Sequence, residues 1–583
     1  MTERRWLLAV AVALLLVLSV GLFARGLWTP DEPREADLAW RMTWQTQKSV
    51  PLLAGEAFCE KPPLTYWAAA LPAAVLGFAP WSARLPNLLY ALITLLSVGL
   101  MARRMAGPVA GLAAGAAIGT FLLGYQTLIW LATDAPALAF VSLALLGLSR
   151  GFYAGSRRER WTGYALMYLA LAGAFLSKSA LGLLVPALAL ITLIVLERRW
   201  RELLRWELWA GLPLALVPVL IWVWAVYSGP NGPAQLKIFF WNNLAGRLTQ
   251  LDAPPELQYA LAHRNSPGKY LGELPLYLWP WTLLVIAAAR RAWLARGAAG
   301  DSRALRVAAA ASLPAIVVLS FAATARNVYL APALPGFALL VGWWVSELPQ
   351  MRDHWDVRAL RATAALIIIA AMLAAAALTI LAFDSPSFVQ TKPALMIVAA
   401  AGLGLALYTA ADAWINAPRT ALMATASLFF GFCCLLSAPC WLAYTQINRW
   451  QDLSVLGTQI RADLDGAPLI LLAPDETTRA FVDLYVSAHV AQAGSDRQGQ
   501  DAAALRALLT DHAGARILAQ VEGRNYSPGV LRISRLLKRR EPRTAEQELA
   551  WALAAGLRPA HLYALPNGRR YALFESVSAA AIR

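Results

Sequence analysis

The chain has 583 residues, of which 59% are hydrophobic and only 15% are charged, and its mean hydropathy is +0.51. Soluble domains usually carry a charged share of roughly a quarter, so this composition excludes an ordinary soluble protein. The formal net charge of +16 does not indicate nucleic-acid binding, because much of it lies in short basic runs at the ends of apolar segments.

The apolar segments predict about thirteen membrane-spanning helices, because each is long enough to cross a bilayer core of roughly 30 Å. The first segment is followed by many others and lacks a small-residue cleavage pattern, so we interpret it as a membrane helix and not as a signal peptide. The predicted spans lie near residues 6–24, 86–102, 108–125, 135–150, 162–177, 181–196, 207–226, 274–289, 307–324, 329–346, 362–382, 393–411 and 420–442.

The basic runs predict the orientation of these helices. Runs such as Arg103-Arg104, Arg198-Arg199 and Arg290-Arg291 fall on every second loop. Cytoplasmic loops carry such a bias, so the N-terminus is predicted to be cytoplasmic. An odd number of spans then places the C-terminal residues on the non-cytoplasmic side of the membrane.

Two loops on the outer side, near residues 25–85 and 228–273, are longer than plain connectors. Long ordered loops are usually functional. In the first loop, Arg34–Gln47 and Pro63–Phe78 combine apolar and aromatic residues in a way that predicts two helices lying on the membrane surface.

After Trp450 the composition becomes mixed. Buried strands are predicted at Pro468–Ala473 and Ala515–Val521, and helices at Glu476–Ala488 and Asp501–Asp511. This alternation indicates a small α/β domain. We therefore predict a mainly α membrane helix bundle at residues 1–445 and an α/β extra-cytoplasmic domain at residues 446–583.

Ionisable residues at the membrane edge are costly, and they are therefore candidates for function. In chain order, those predicted on the outer side, with one tyrosine, are Asp31, Glu32, Arg34, Glu60, Lys61, Asp134, Lys178, His263, Arg264, Lys269, Arg326 and Tyr329. Several also have a structural interpretation: Asp31 could cap the helix that follows it, and Lys61 or Lys178 could extend to the interface. Asp134 is harder to explain in that way, because a lone carboxylate between two apolar spans needs a partner.

The acidic pair after the first span, Glu60-Lys61-Pro62-Pro63 in the first outer loop and Asp134 after the third span resemble the polytopic glycosyltransferases of the GT-C class. That class includes the protein O-mannosyltransferases and the bacterial 4-amino-4-deoxy-L-arabinose lipid A transferases. The spacing resembles the arabinose branch most, and the resemblance extends over residues 1–345. Two departures are Pro33-Arg34-Glu35, where the family often has Arg-Tyr, and Arg326, where many relatives have lysine.

The resemblance implies a transferase that uses a sugar carried on a membrane-bound polyprenyl phosphate. Lys61 and Tyr329 match residues near the donor phosphate, and Arg264 and Lys269 are both candidates for the family's loop arginine. Asp31 and Asp134 match the outer carboxylates, with Glu32 and Arg34 beside the first. Glu60 and His263 match positions linked to a divalent metal, which would be Zn²⁺ or Mg²⁺. The interpretation predicts that Asp31, Lys61 and Asp134 converge in one cavity.

The acceptor stays open at this point. A lipid A phosphate is already anionic and can attack without a base, whereas a protein Ser or Thr hydroxyl would need Asp31 to remove its proton. We favour the phosphate acceptor, because a basic outer loop attracts an anionic partner. A transporter or lipid flippase is a weaker alternative, since no inverted repeat is seen and the charged residues gather at one face.

Overall fold

A computed structural model gives the fold of the chain. It describes residues 3–245, 268–295, 303–322, 326–350, 353–384, 392–472, 474–487, 489–493, 509–512, 514–521, 557–565 and 569–576. Within these residues, ten helices are long and apolar enough to cross a membrane, or eleven when the bent pair Lys269–Tyr277 and Thr282–Ala295 counts as one span. The protein is therefore a mainly α, multi-pass membrane protein, as predicted, and the number thirteen stays a prediction.

The helices and strands follow in chain order. The first part contains α1 (Glu3–Phe23), α2 (Asp31–Trp44), β1 (Leu52–Leu53), β2 (Glu56–Ala57), α3 (Leu64–Leu76), α4 (Pro80–Arg84), α5 (Pro86–Thr120), α6 (Leu122–Ile129), α7 (Asp134–Phe152), α8 (Arg157–Lys178) and α9 (Ala180–Glu197). The middle part contains a 3₁₀ helix at Trp200–Leu204, α10 (Trp206–Trp209), α11 (Leu212–Tyr227), α12 (Gly232–Lys237), a π-helix at Ile238–Ala245, α13 (Lys269–Tyr277), α14 (Thr282–Ala295), α15 (Arg303–Ser320) and a 3₁₀ helix at Asn327–Ala333.

The last part contains α16 (Leu334–Glu347), a 3₁₀ helix at Leu348–Gln350, α17 (His354–Asp384), α18 (Pro393–Asn416), α19 (Ala421–Leu436), α20 (Ala438–Gln451) and α21 (Ser454–Leu464). It ends with β3 (Leu469–Leu472), α22 (Glu476–Phe481), a π-helix at Val482–Val486, β4 (His489–Ala493), β5 (Arg516–Val521), β6 (Leu557–Ala564) and β7 (Arg570–Ser576). The long helix α5 is broken at Gly107, whose φ of 89° is a conformation that glycine adopts readily.

The chain forms two compact units. The membrane unit comprises Met1–Ala24, Gln45–Val50 and Phe58–Ala443, and the C-terminal unit comprises Arg25–Trp44, Pro51–Ala57 and Tyr444–Arg583. The helix α2 thus belongs to the same unit as the C-terminal sheet, although more than 400 residues of sequence lie between them. The sequence analysis did not predict this grouping.

Glycines bring α7 and α8 of the membrane unit close together. A Cβ added at Gly163 in α8 would overlap the backbone nitrogen of Gly151 in α7, and one at Gly147 would come 2.5 Å from the backbone nitrogen of Met167. Small residues permit such backbone approach in membrane helices, where packing drives association. Since Asp134 begins α7 and Lys178 ends α8, the antiparallel pair brings these two residues to the same end.

Ion pairs join several basic runs of the membrane unit at one end of its helices. They link Arg103 with Glu3 at 2.8 Å, Arg104 with Glu159, Arg157 with Glu207 at 3.4 Å, and Arg306 with Glu197. These contacts come from the start of α1, the break in α5 and the ends of four later helices. They therefore place these basic runs on a common face, as the orientation argument requires.

Among its described residues, the C-terminal unit contains a five-stranded mixed sheet of order β4-β3-β5-β7-β6. The strand β3 pairs in parallel with β4 and β5, and β7 is antiparallel to β5 and β6. Neighbouring residues of β3 pack on opposite sides of the sheet: Leu469 and Leu471 join one core cluster with Leu456 and Ile460 of α21, and Ile470 joins another. Burial on both faces explains why this strand is a continuous apolar run.

Candidate functional site

Asp134 and Lys178 form a buried ion pair in the membrane unit. The Lys178 ammonium donates to the Asp134 carboxylate, and the two side chains are only 9% and 12% exposed respectively. Lys178 is therefore the partner that a lone carboxylate between two apolar spans was expected to need. A buried pair of this kind holds both charges in a fixed position, since either one alone would be costly to bury.

Tyr329 completes a cluster with this pair. The Lys178 nitrogen lies 4.4 Å from the centre of the Tyr329 ring, within the range of a cation–π interaction. Ser179 follows Lys178 with a φ of 55° and begins the turn into α9. This left-handed conformation, rarely adopted by residues other than glycine and asparagine, reverses the chain directly after the lysine.

The carbonyl of Arg326 connects Tyr329 to the predicted cation Lys269. It accepts a hydrogen bond from the Tyr329 backbone N–H at 3.0 Å and another from the Tyr270 hydroxyl at 2.6 Å. The Lys269 nitrogen lies 5.9 Å from the centre of the Tyr270 ring. The start of α13 therefore packs beside the segment that supplies Tyr329.

The segment that carries Lys61 packs against the same ends of α7 and α8. Cys59 contacts the apolar cluster that includes Leu176, near the end of α8. Ala68 packs with Ala135, the second residue of α7. Lys61 itself is half-buried. Both flanks of this lysine are thus held near the cluster formed by Asp134, Lys178 and Tyr329, which we call the membrane-edge cluster.

Arg34 forms a separate network inside the C-terminal unit. Its guanidinium donates to Glu476 at 2.5 Å, to Glu35 at 3.0 Å and to Asp31 at 3.2 Å. One planar guanidinium thereby contacts three carboxylates, a geometry that suits arginine better than lysine. Both partners are enclosed, since the Glu35 side chain is 1% exposed and the Arg34 side chain 10%.

Of the two acidic residues predicted after the first span, only Asp31 has an exposed side chain. Asp31 is 29% exposed, whereas the Glu32 side chain is fully buried and paired with Arg25 at 3.1 Å. Glu32 also accepts the Trp28 backbone N–H at 2.9 Å. This geometry gives Glu32 a structural part in the start of α2, and the catalytic roles predicted for both residues stay predictions.

Arg41, near the end of α2, contacts two carboxylates of the C-terminal unit. Its guanidinium donates to Asp483 at 2.9 Å and lies 3.6 Å from Asp37. The pKa of Asp37 is raised well above its ordinary value, chiefly because burial disfavours the charged form. A hydrogen bond and the negative charge of Asp483 act in the same direction, and the Ala54 N–H and Arg41 oppose them.

The predicted metal ligands do not form a site in the described part of the chain. Glu60 is half-buried, and His263 lies outside the described residues, as does Arg264. No group of three His, Cys, Asp or Glu residues that could hold a metal is found among the residues that the structure describes. Glu60 alone supplies one ligand, which is fewer than a stable site needs, so the metal stays a prediction.

The role of Lys178 in the membrane unit was not predicted from the sequence. In the sequence, Lys178 is a candidate without a predicted role, because a position at the membrane interface explains it equally well. The glycines of α7 and α8 were the signal that could have paired it with Asp134. The predicted convergence of Asp31 with Lys61 and Asp134 stays a prediction.

Comparisons with known proteins agree with this architecture. A family model described as dolichyl-phosphate-mannose-protein mannosyltransferase matches residues 60–224. The chain resembles a crystal structure of ArnT from Cupriavidus metallidurans bound to undecaprenyl phosphate, with a TM-score of 0.74, 19% identity and 99% of each chain covered. The likeness to that structure shows the fold.

Curated relatives are more similar in sequence. The undecaprenyl phosphate-alpha-4-amino-4-deoxy-L-arabinose arabinosyl transferase of Pseudomonas paraeruginosa is 31% identical over 411 residues, which cover 67% of this chain and 70% of the relative. The enzyme of the same name from Edwardsiella ictaluri is 28% identical over 339 residues, which cover 58% of this chain and 59% of the relative. The chain belongs to the undecaprenyl phosphate-alpha-4-amino-4-deoxy-L-arabinose arabinosyl transferase family.

Proposed function

We propose that this chain transfers 4-amino-4-deoxy-L-arabinose from undecaprenyl phosphate to a phosphate of lipid A at the periplasmic face of the inner membrane. Family membership supports the donor. The observation that carries the chemistry is the membrane-edge cluster, in which a buried lysine is held between a carboxylate and an aromatic ring. A fixed cation at a water-poor position suits a reaction that releases a phosphate anion.

The reaction breaks the bond between the anomeric carbon of the sugar and the donor phosphate oxygen. The electron pair of that bond leaves with undecaprenyl phosphate, and an oxygen of the acceptor phosphate forms the new bond to the anomeric carbon. Lys61 and Lys178 are assigned to the leaving phosphate, because developing negative charge is stabilised most by cations that are already in position. Asp134 acts through Lys178, which it positions.

The choice of acceptor determines what Asp31 does. An anionic phosphate needs no base, so Asp31 is assigned to stabilising the positive charge that develops at the anomeric carbon or to binding the aminosugar. Its carboxylate is suited to this role because it is the most exposed of the three that surround Arg34. With a hydroxyl acceptor, the same carboxylate would serve as the general base.

The basic runs at the helix ends are the basis for the orientation that we assign to the membrane helices. The face that gathers the paired basic runs is assigned to the cytoplasm, since cytoplasmic loops retain lysine and arginine. Asp134 and Lys178 lie at the opposite ends of α7 and α8 from Arg150 and Arg157. The membrane-edge cluster is therefore assigned to the periplasmic side.

Transfer by two variants tests the proposal. In membrane vesicles or proteoliposomes that contain the donor and lipid A, the variants Lys61→Ala and Asp134→Asn are each expected to abolish sugar transfer. Both variant proteins should still be produced. Lys237→Ala is the matched control, because Lys237 is an exposed lysine of the other predicted outer loop. Normal transfer by Lys61→Ala would remove the phosphate role assigned to this lysine.

A second candidate function is protein O-glycosylation, which the match of residues 60–224 to the protein mannosyltransferase model favours. Mass spectrometry of envelope lipids and proteins, with and without the chain, separates the two functions. A lipid A mass increase of one aminopentose supports the first function. A glycosylated protein with unchanged lipid A supports the second.

A further inference from the structure

The residues that join α9 to α11 form a short segment rich in arginine and tryptophan. Residues 198–210 contain four arginines, three tryptophans and two glutamates. They fold as the 3₁₀ helix Trp200–Leu204 and the helix Trp206–Trp209. We call residues 198–210 the interfacial segment, since it follows the candidate membrane span Ala180–Glu197 and includes the first residues of the next one, Trp206–Tyr227.

Both glutamates of the interfacial segment point inward and are neutralised there. Glu202 is 1% exposed and accepts hydrogen bonds from the Tyr164 hydroxyl at 2.7 Å and from Arg199 at 3.3 Å. It also forms an ion pair with Arg205 at 3.1 Å. Glu207 is also buried and pairs with a neighbouring arginine of α8. The acidic charge of the segment is therefore not presented at its surface.

Two arginines of the same segment point outward instead. Arg198 and Arg201 are exposed, and among the residues that the structure describes neither has an acidic partner. By contrast, Arg199 is half-buried and donates to the Phe152 carbonyl at 2.7 Å. The surface of the interfacial segment is thus cationic although its sequence contains both signs of charge.

Apolar side chains accompany the two exposed arginines. Leu204 is 85% exposed, and Trp200, Trp206 and Trp209 are each about half exposed. The indole of Trp209 donates to the Leu203 carbonyl at 2.7 Å, which fixes its orientation. Exposed tryptophans beside arginines at the end of a membrane span are typical of the boundary between lipid headgroups and acyl chains.

We infer that the interfacial segment binds the headgroup of an anionic phospholipid, with Arg198 and Arg201 on the phosphate and the exposed indoles and Leu204 in the adjacent acyl region. Arginine suits this role because its planar guanidinium can donate two hydrogen bonds to one phosphate. The charge is complementary to a leaflet rich in anionic lipid. With the orientation proposed above, this is the cytoplasmic leaflet. The inference does not depend on sugar transfer.

Lipid titration of the purified full-length protein, followed by native mass spectrometry, tests the inference. Dioleoyl phosphatidylglycerol is the anionic probe and dioleoyl phosphatidylcholine the neutral one. Wild-type protein is expected to bind phosphatidylglycerol more tightly. Each arginine near an anionic surface contributes enough for about a fivefold change in affinity, so R198Q/R201Q is expected to weaken phosphatidylglycerol binding by roughly 10- to 30-fold. Phosphatidylcholine binding should not change.

The double variant R4Q/R5Q is the matched control, because it removes the same charge from two exposed arginines at the start of α1. It is expected to keep the high-affinity phosphatidylglycerol binding. A third variant, Leu204→Gln, is expected to weaken the binding of both lipids. Inorganic phosphate at the same concentration should not displace the lipid, since it lacks the acyl part.

Two results would overturn the inference: equal affinity of the wild-type protein for both lipids, or an equal loss in R198Q/R201Q and R4Q/R5Q. Displacement by inorganic phosphate would likewise refute a lipid-specific site. Melting temperatures in phosphatidylcholine identify any variant that fails to fold, and for such a variant the single substitution Arg201→Gln supplies the same comparison with a smaller expected loss.

Discussion

Replacing only one residue of the Asp134–Lys178 pair should lower the free energy of unfolding far more than replacing both. In Lys178→Met, the Asp134 carboxylate remains in a position that is only 12% exposed, and an uncompensated buried charge typically costs about 3–5 kcal/mol. The residual exposure favours the lower end of that range. Loss of the contact with the Tyr329 ring at 4.4 Å adds about 1 kcal/mol. Asp134→Leu should cost about 3 kcal/mol for the same reason.

The double variant D134L/K178M leaves no buried charge behind. It is expected to be within about 1–2 kcal/mol of the wild-type protein, because apolar residues often replace a buried ion pair without loss. The assay is unfolding in mixed micelles, monitored by the intrinsic fluorescence of the 24 tryptophans. A double-mutant cycle then gives the coupling between the two residues.

Two outcomes would refute this reasoning in different ways. If the double variant loses as much stability as the sum of the single variants, the two side chains are not directly coupled. If the stable double variant still transfers sugar, the pair has a structural role only, and the phosphate role assigned to Lys178 is wrong. Stability near wild type without transfer is the expected result.

Further predictions concern four single residues. Burial raises the pKa of Asp37. The contribution of this carboxyl group to the free energy of unfolding is therefore greatest at low pH and is lost as pH rises through the raised pKa. When unfolding is measured between pH 4 and 8, the free energy of unfolding of Asp37→Asn should depend less on rising pH than that of the wild-type protein. Tyr329→Phe should keep the stability of the Lys178 contact, whereas Tyr329→Leu should lose about 1 kcal/mol in the same unfolding assay. Glu32→Gln should lower stability by about 3 kcal/mol, and Asp31→Asn should lower sugar transfer at least tenfold with little change in melting temperature.

The membrane bundle could be predicted from the sequence because its signal is local. A run of apolar residues of sufficient length specifies a span without reference to the rest of the chain. Asp134 could also be selected, because a carboxylate between apolar spans is costly. Its partner could not be identified from the sequence, because Lys178 is 44 residues away and a lysine at a helix end has an ordinary interfacial explanation.

The grouping of α2 with the C-terminal sheet could not be predicted in this way. The alternation of charged and apolar residues in α2 is equally compatible with a helix on the membrane surface. What distinguishes the two possibilities is the set of partners, and Glu476 lies 442 residues from Arg34. No periodicity within α2 carries information about a carboxylate so distant in sequence.

The partners of α2 nevertheless separate the roles of its two leading acidic residues. Both begin the same helix, and the sequence pattern treats them as an equivalent pair. The structure pairs Glu32 with Arg25 in a position where neither side chain is exposed, so the Glu32 carboxylate cannot meet a substrate without unfolding the turn. Asp31 shares the cation of Arg34 with two other carboxylates and keeps an exposed edge. Because its carboxylate has an exposed edge, Asp31 can approach positive charge that develops on a sugar, whereas the enclosed Glu32 cannot.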